Sequence, residues 1–148
     1  MQLFKSHADE LMADLTVLYP SVNQTMQQLK KQDKKLGIVS TKYRYRIESI
    51  LKRENALHWF DIIVGGEDVT SNKPHPEGLY LAITRINCVI DRTLFVGDSI
   101  VDAETASRAE VPFIAVLSGV TKRNEFTNYK AIRIIESLSE LPNWLNNN

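Results

Sequence analysis

Leu36-Gly37-Ile38-Val39-Ser40-Thr41 and Leu94-Phe95-Val96-Gly97-Asp98-Ser99 follow one plan. Each is a short apolar run that stops on small polar residues, the profile of a strand buried on both faces of a parallel sheet. Between them, Tyr43 to Leu57 has the period of an amphipathic helix that turns Ile47, Ile50 and Leu51 inward. Phe60-Asp61-Ile62-Ile63-Val64 predicts a second strand, closed by Gly65-Gly66. A polar loop then leads to Pro74-His75-Pro76, and Pro76 suits the first position of a helix carrying Leu79, Ala82, Ile83 and Ile86.

Beyond Asp98 the alternation continues. Ile100 to Ala109 predicts a helix, Phe113-Ile114-Ala115-Val116 a fourth strand, and Ala131 to Ile135 a weaker fifth before Trp144-Leu145. Upstream, Phe4, Ala8, Leu11, Leu15 and Leu18 recur at helical steps, and after Pro20-Ser21 a second helix carries Val22, Met26 and Leu29. Lys30, Lys31, Lys34 and Lys35 lie around its end, where cations meet the negative pole of the helix dipole and a solvated basic face is sufficient explanation. Strand alternating with helix at this rhythm predicts an α/β fold with a mostly parallel sheet.

The 148 residues suit one domain, large enough to bury about 68–70% of its unfolded surface. Eighteen basic residues balance 18 acidic ones, for a formal net charge of +0, which gives no reason to expect nucleic acid or an anionic membrane as partner. Cys88 stands alone, so no intramolecular disulfide forms, as befits a reducing compartment. No apolar run reaches the length of a membrane span, and Met1-Gln-Leu-Phe-Lys-Ser-His lacks the shape of a secretion signal. The expectation is a soluble, cytoplasmic protein. His7, His58 and His75 are scattered, while Tyr43, Tyr45, Trp59 and Trp144 read as packing groups rather than a stacking platform.

In a parallel sheet the chemistry gathers beyond the carboxyl ends of the strands. Three places there carry suitable groups. Asp98 and Asp102, four apart at a helix start, share one helical face, and such carboxylates suit magnesium; Asp98 serves equally as a plain helix cap. Gly97 before them lets backbone come close to a ligand. Lys73, held before Pro74, presents an ammonium able to neutralise a transferring phosphoryl group, or is an ordinary surface lysine. Ser40 and Thr41 offer hydroxyls and N–H groups for phosphate oxygens, or an N-cap for the helix that follows.

Taken in order, Ser40-Thr41, Lys73-Pro74-His75-Pro76 and Val96-Gly97-Asp98-Ser99 to Asp102 resemble the second, third and fourth motifs of the haloacid dehalogenase-like superfamily. The nearest likeness is to phosphoglycolate phosphatases and the related pyrophosphatase acting on inorganic diphosphate. Gly119-Val120-Thr121 and Ile134 to Leu141 resemble the tail of that subgroup. The resemblance implies that Ser40 hydrogen-bonds a phosphoryl oxygen and Thr41 lends a backbone N–H. It implies that Lys73 bridges phosphate and nucleophile, that Asp98 binds Mg2+, and that Asp102 supports the metal shell or Lys73. The substrate would be a small phosphorylated metabolite, hydrolysed by magnesium-assisted phosphoryl transfer. A phosphoacceptor receiver domain shares these residue types but needs its acidic residues before the Ser/Thr and Lys.

The superfamily opens with Asp-x-Asp at the end of its first strand, the first aspartate attacking phosphorus and the second acting as general acid-base. Here aspartates stand at 9, 14, 33, 61, 68, 91, 98 and 102, and no two are separated by a single residue. The chain is therefore expected to be inactive alone, or to be a non-catalytic remnant or interaction module. Residues 1–20 are expected to be a remnant of the cap domain, and 21–148 a core lacking its first, central strand. Open strands on either side of that gap predict rearrangement or self-association.

Overall fold

The computed structural model describes residues 2–5, 20–117 and 121–147. Along the chain run β1 (Gln2–Lys5), α1 (Pro20–Lys31), β2 (Lys35–Val39), α2 (Arg44–Arg53), β3 (Ile62–Val64) and α3 (Glu77–Arg85). They are followed by β4 (Thr93–Gly97), α4 (Ile100–Ala109), β5 (Phe113–Val116), β6 (Arg133–Ile135) and α5 (Leu141–Asn146). The six strands form one sheet in the order β3-β2-β1-β4-β5-β6, every neighbouring pair parallel. The α/β reading and the parallel sheet hold.

The expected gap at the centre of the sheet does not. Gln2–Lys5 fills it, pairing Leu3 with Leu36 of β2 on one side and with Leu94 of β4 on the other. Phe4 was grouped with a helical face, but a four-residue stretch is too short for periodicity to separate strand from helix. Two facing rows of unpaired N–H and C=O groups decide the matter, because leaving them unmade costs about 1–3 kcal/mol each. The edges expected to drive self-association are therefore paired within the chain. Residues 6–19, which hold the rest of that helix and most of the segment read as a cap remnant, and Gly119-Val120 lie outside the described residues.

Side chains alternate across the strands and build a core on each face. Leu36 and Ile38 of β2, with Leu94 and Val96 of β4, point to a cluster closed by Met26 and Leu29 of α1, Ile47 and Leu51 of α2, and Leu141. Val39 and Phe95 point the opposite way, into Leu79, Ala82 and Ile83 of α3, Ala103 and Ala106 of α4, and Phe113 and Phe126. Some elements are shorter than their patterns suggest. The helix begun at Arg44 ends at Arg53 because Asn55 adopts a left-handed conformation, φ 56°. The strand expected from Phe60 starts at Ile62; just before it, the Asp61 N–H donates to Leu36 C=O at 2.7 Å while its carboxylate accepts the Leu36 N–H at 2.8 Å. Among the described residues no helix is long and apolar enough to cross a membrane.

Candidate functional site

The register of the sheet brings the sequence-predicted residues to one level. Lys5 of β1 pairs with Ile38 on one side and Val96 on the other. Ser40 and Asp98 each stand two residues further on, so they flank the carboxyl end of β1, two strand spacings or about 10 Å apart. Both are buried, at 4% exposure each.

Asp102 organises this end of the sheet. Its Oδ1 accepts from Lys73 Nζ at 3.0 Å. Its Oδ2 accepts from the Asp98 N–H at 3.2 Å and the Ser99 hydroxyl at 2.9 Å. The Lys73 and Asp102 side chains are 9% and 0% exposed. Lys73 is thus no ordinary surface lysine. Asp102 meets its ammonium directly.

Ser99 is the N-cap of α4, accepting the Asp102 N–H at 3.2 Å. Asp98 is therefore not occupied as the cap. It sits at the junction of strand and helix, where its backbone N–H is held by Asp102. At Gly97, a Cβ would lie 2.5 Å from Asp102 Cβ and 2.6 Å from its Oδ2, so only glycine allows the helix to seat this close.

Ser40 is fixed by its N–H, which donates to Val64 C=O at 3.0 Å, and its Oγ accepts the Lys42 N–H at 3.0 Å. It does not cap α2, whose N-cap is Tyr43. Thr41 is exposed beside it, with its carbonyl against Gly66.

Sequence reasoning missed the groups that hold these loops. Arg44 Nε donates to both Asp68 oxygens, at 3.0 and 3.3 Å, and Asp68 also accepts the Gly65 N–H at 2.9 Å. Burial pushes the Asp68 carboxyl upward, but the Gly65 N–H and the Arg44 guanidinium outweigh it and hold the group below the usual carboxylate value. Glu77 accepts from the Thr70 N–H and hydroxyl and from the Ser71 N–H, and these bonds, led by the Thr70 N–H, also lower its pKa. Gly65-Gly66-Glu67-Asp68 was the available signal, acidic residues immediately after a paired glycine turn.

Asp98 and Asp102, the side chains that the resemblance assigns to Mg2+, offer oxygen only. A hard cation that keeps several waters is commonly held by one or two carboxylates plus substrate phosphate. Asp98 fits that role, whereas both Asp102 oxygens are engaged. Among the described residues no three acidic, histidine or cysteine groups converge as a self-sufficient metal site.

The haloacid dehalogenase-like hydrolase profile matches residues 1–116. The chain belongs to that family. It is 35% identical over 140 residues to the pyrophosphatase PpaX of Bacillus mycoides, covering 95% of this chain and 63% of that one. A phosphoglycolate phosphatase of Salmonella typhimurium is 33% identical over 118 residues, covering 80% of this chain and 47% of the enzyme. Among solved structures, a haloacid dehalogenase-like hydrolase from Bacteroides fragilis superposes with a TM-score of 0.81 at 51% identity, over 84% of this chain and 59% of its own. This haloacid dehalogenase-like chain thus spans less than two thirds of the relatives it matches.

Proposed function

We propose that these 148 residues carry the phosphate-gripping and magnesium-holding part of a phosphoglycolate phosphatase-like site, and that they do not turn over alone. The buried Lys73–Asp102 ion pair beside Asp98, at the carboxyl end of a parallel sheet, is the observation that carries this reading. A buried ion pair is weak evidence of stability, because desolvation offsets much of its attraction. Its retention fits a need to present an ammonium at a defined place.

In this reading Ser40 and the Thr41 N–H hold phosphoryl oxygens, Lys73 neutralises their charge, and Asp98 ligates Mg2+. When bound, the metal would stabilise charge on the phosphoryl oxygens. Asp102 orients Lys73 and clamps the Asp98 backbone. No Asp-x-Asp pair exists to attack phosphorus and shuttle the proton. Loss of a nucleophile from a concerted set removes several orders of magnitude of rate, about 10⁶ in one well-studied case. A small phosphorylated metabolite in a cytoplasmic setting is the matching ligand.

The test is twofold. Titration with orthophosphate and Mg2+, followed by amide NMR, is expected to move Ser40, Thr41 and Lys73 with weak saturable affinity. Assay of a generic phosphate monoester with Mg2+ is expected to show no turnover. Hydrolysis abolished by Asp98→Asn would overturn the inactivity; absence of any phosphate-induced shift would overturn the binding role.

A further inference from the structure

Two different loops supply the two sides of the phosphate site. Ser40-Thr41-Lys42 follows β2, and Lys73 sits late in the segment 65–76 between β3 and α3. Those loops are stitched through their backbones, once to backbone and once to a side chain. The Gly66 N–H donates to Lys42 C=O at 3.0 Å, and the Arg44 N–H donates to Glu67 Oε1 at 2.6 Å. A Cβ at Gly66 would lie 2.5 Å from Thr41 O, and one at Gly65 would lie 2.3 Å from Arg44 N. Nothing larger than glycine permits this approach.

Across the seam lies the Arg44–Asp68 pair. Asp68, only 11% exposed at its side chain, joins the Arg44 guanidinium to the Gly65 N–H. We propose that Arg44 and Asp68 are positioning residues that yoke the hydroxyl side of the phosphate site to its ammonium side. This rests on the phosphatase reading above. At the other end of the segment, Glu77 ties Thr70 and Ser71 to the first turn of α3, so the loop bearing Lys73 is fastened on both flanks. A displacement of one loop is thereby transmitted to the other. An exposed ion pair contributes little, but charge-assisted bonds to a nearly buried carboxylate are stronger and directional.

Asp68→Asn and Arg44→Gln break the pair from its two sides, and Lys30→Met serves as control. Lys30 pairs with Asp61 away from the seam, so its loss lowers stability without touching either loop. Orthophosphate titration with Mg2+ should weaken about tenfold or more in both seam variants, as is usual when a supporting partner is removed, and remain unchanged in Lys30→Met. Asp68→Asn should also speed amide exchange at Lys42, which donates to Ser40 Oγ within the loop after β2, and Arg44→Gln should move the amide resonance of Lys73. Affinities that track thermal stability alike in all three variants overturn the yoke. Should the unaltered chain bind no phosphate, the phosphatase reading fails, and exchange at Lys42 alone decides: faster exchange in Asp68→Asn keeps the coupling, unchanged exchange ends it.

Discussion

Lys73 Nζ lies 3.0 Å from Asp102 Oδ1, an ammonium and a carboxylate 29 residues apart that meet with almost no water around them. The second Asp102 oxygen holds the Asp98 N–H and the Ser99 hydroxyl, so one side chain joins the loop after β3 to the start of α4. Three hydrogen bonds, one of them the ion pair with Lys73, compensate for burying that charge.

Asp102→Ala takes the carboxylate away from the buried Lys73 ammonium. Breaking a buried pair from one side costs about 3–5 kcal/mol. Urea unfolding should report a loss of that order, and a loss near zero would show that Lys73 escapes to solvent. Asp102→Asn, which keeps the shape, should lose less.

Gly97→Ala places a methyl 2.5 Å from Asp102 Cβ, so α4 must shift or its first turn must open. Overpacking of this kind costs about 1–3 kcal/mol. A thermal midpoint matching that of the unaltered protein would contradict the close seating of Gly97 against Asp102.

Asp68 makes stability depend on pH in a definite direction. Its folded pKa is lowered, so its contribution is present above the unfolded carboxylate value and disappears as pH falls through the folded value. The thermal midpoints of the unaltered protein and Asp68→Asn should be furthest apart at neutral pH and converge in acid. A gap that widens on acidification would reverse the sign.

Phe4→Pro removes one backbone donor from β1, every residue of which is paired with β2 on one side and β4 on the other. Once β1 detaches, two interior strands become edges, and open edges recruit other chains. Sedimentation should reveal more self-association than in the unaltered protein, together with a lower thermal midpoint. A monomer of unchanged stability would mean that the central strand contributes nothing.

Much of the architecture was legible in the residues. Leu36 to Val39, Leu94 to Val96 and Phe113 to Val116 are apolar runs with abrupt polar ends, and Ile100 to Ala109 became a helix with those bounds. Ser40, Lys73, Asp98 and Asp102 were recognisable because motif order in the chain is independent of how the loops fold. Arg44, Asp68 and Glu77 were not, since the Arg44–Asp68 pair joins separate segments and a lone charged residue near a glycine turn or a helix start has no periodic signature.

The chain's own residues thus determined the alternating β and α elements, the polar sets beyond the strand ends and the lack of an Asp-x-Asp pair, because each is a property of local pattern. Tertiary structure decided that Gln2–Lys5 is the central strand, that Ser99 rather than Asp98 caps α4, and that Asp102 spends its oxygens on Lys73, Asp98 and Ser99. Hydrogen bonds in search of partners made those choices: for β1 and for the Lys73–Asp102 pair the partners are distant in sequence, and at the start of α4 several neighbouring polar groups compete for the same donors.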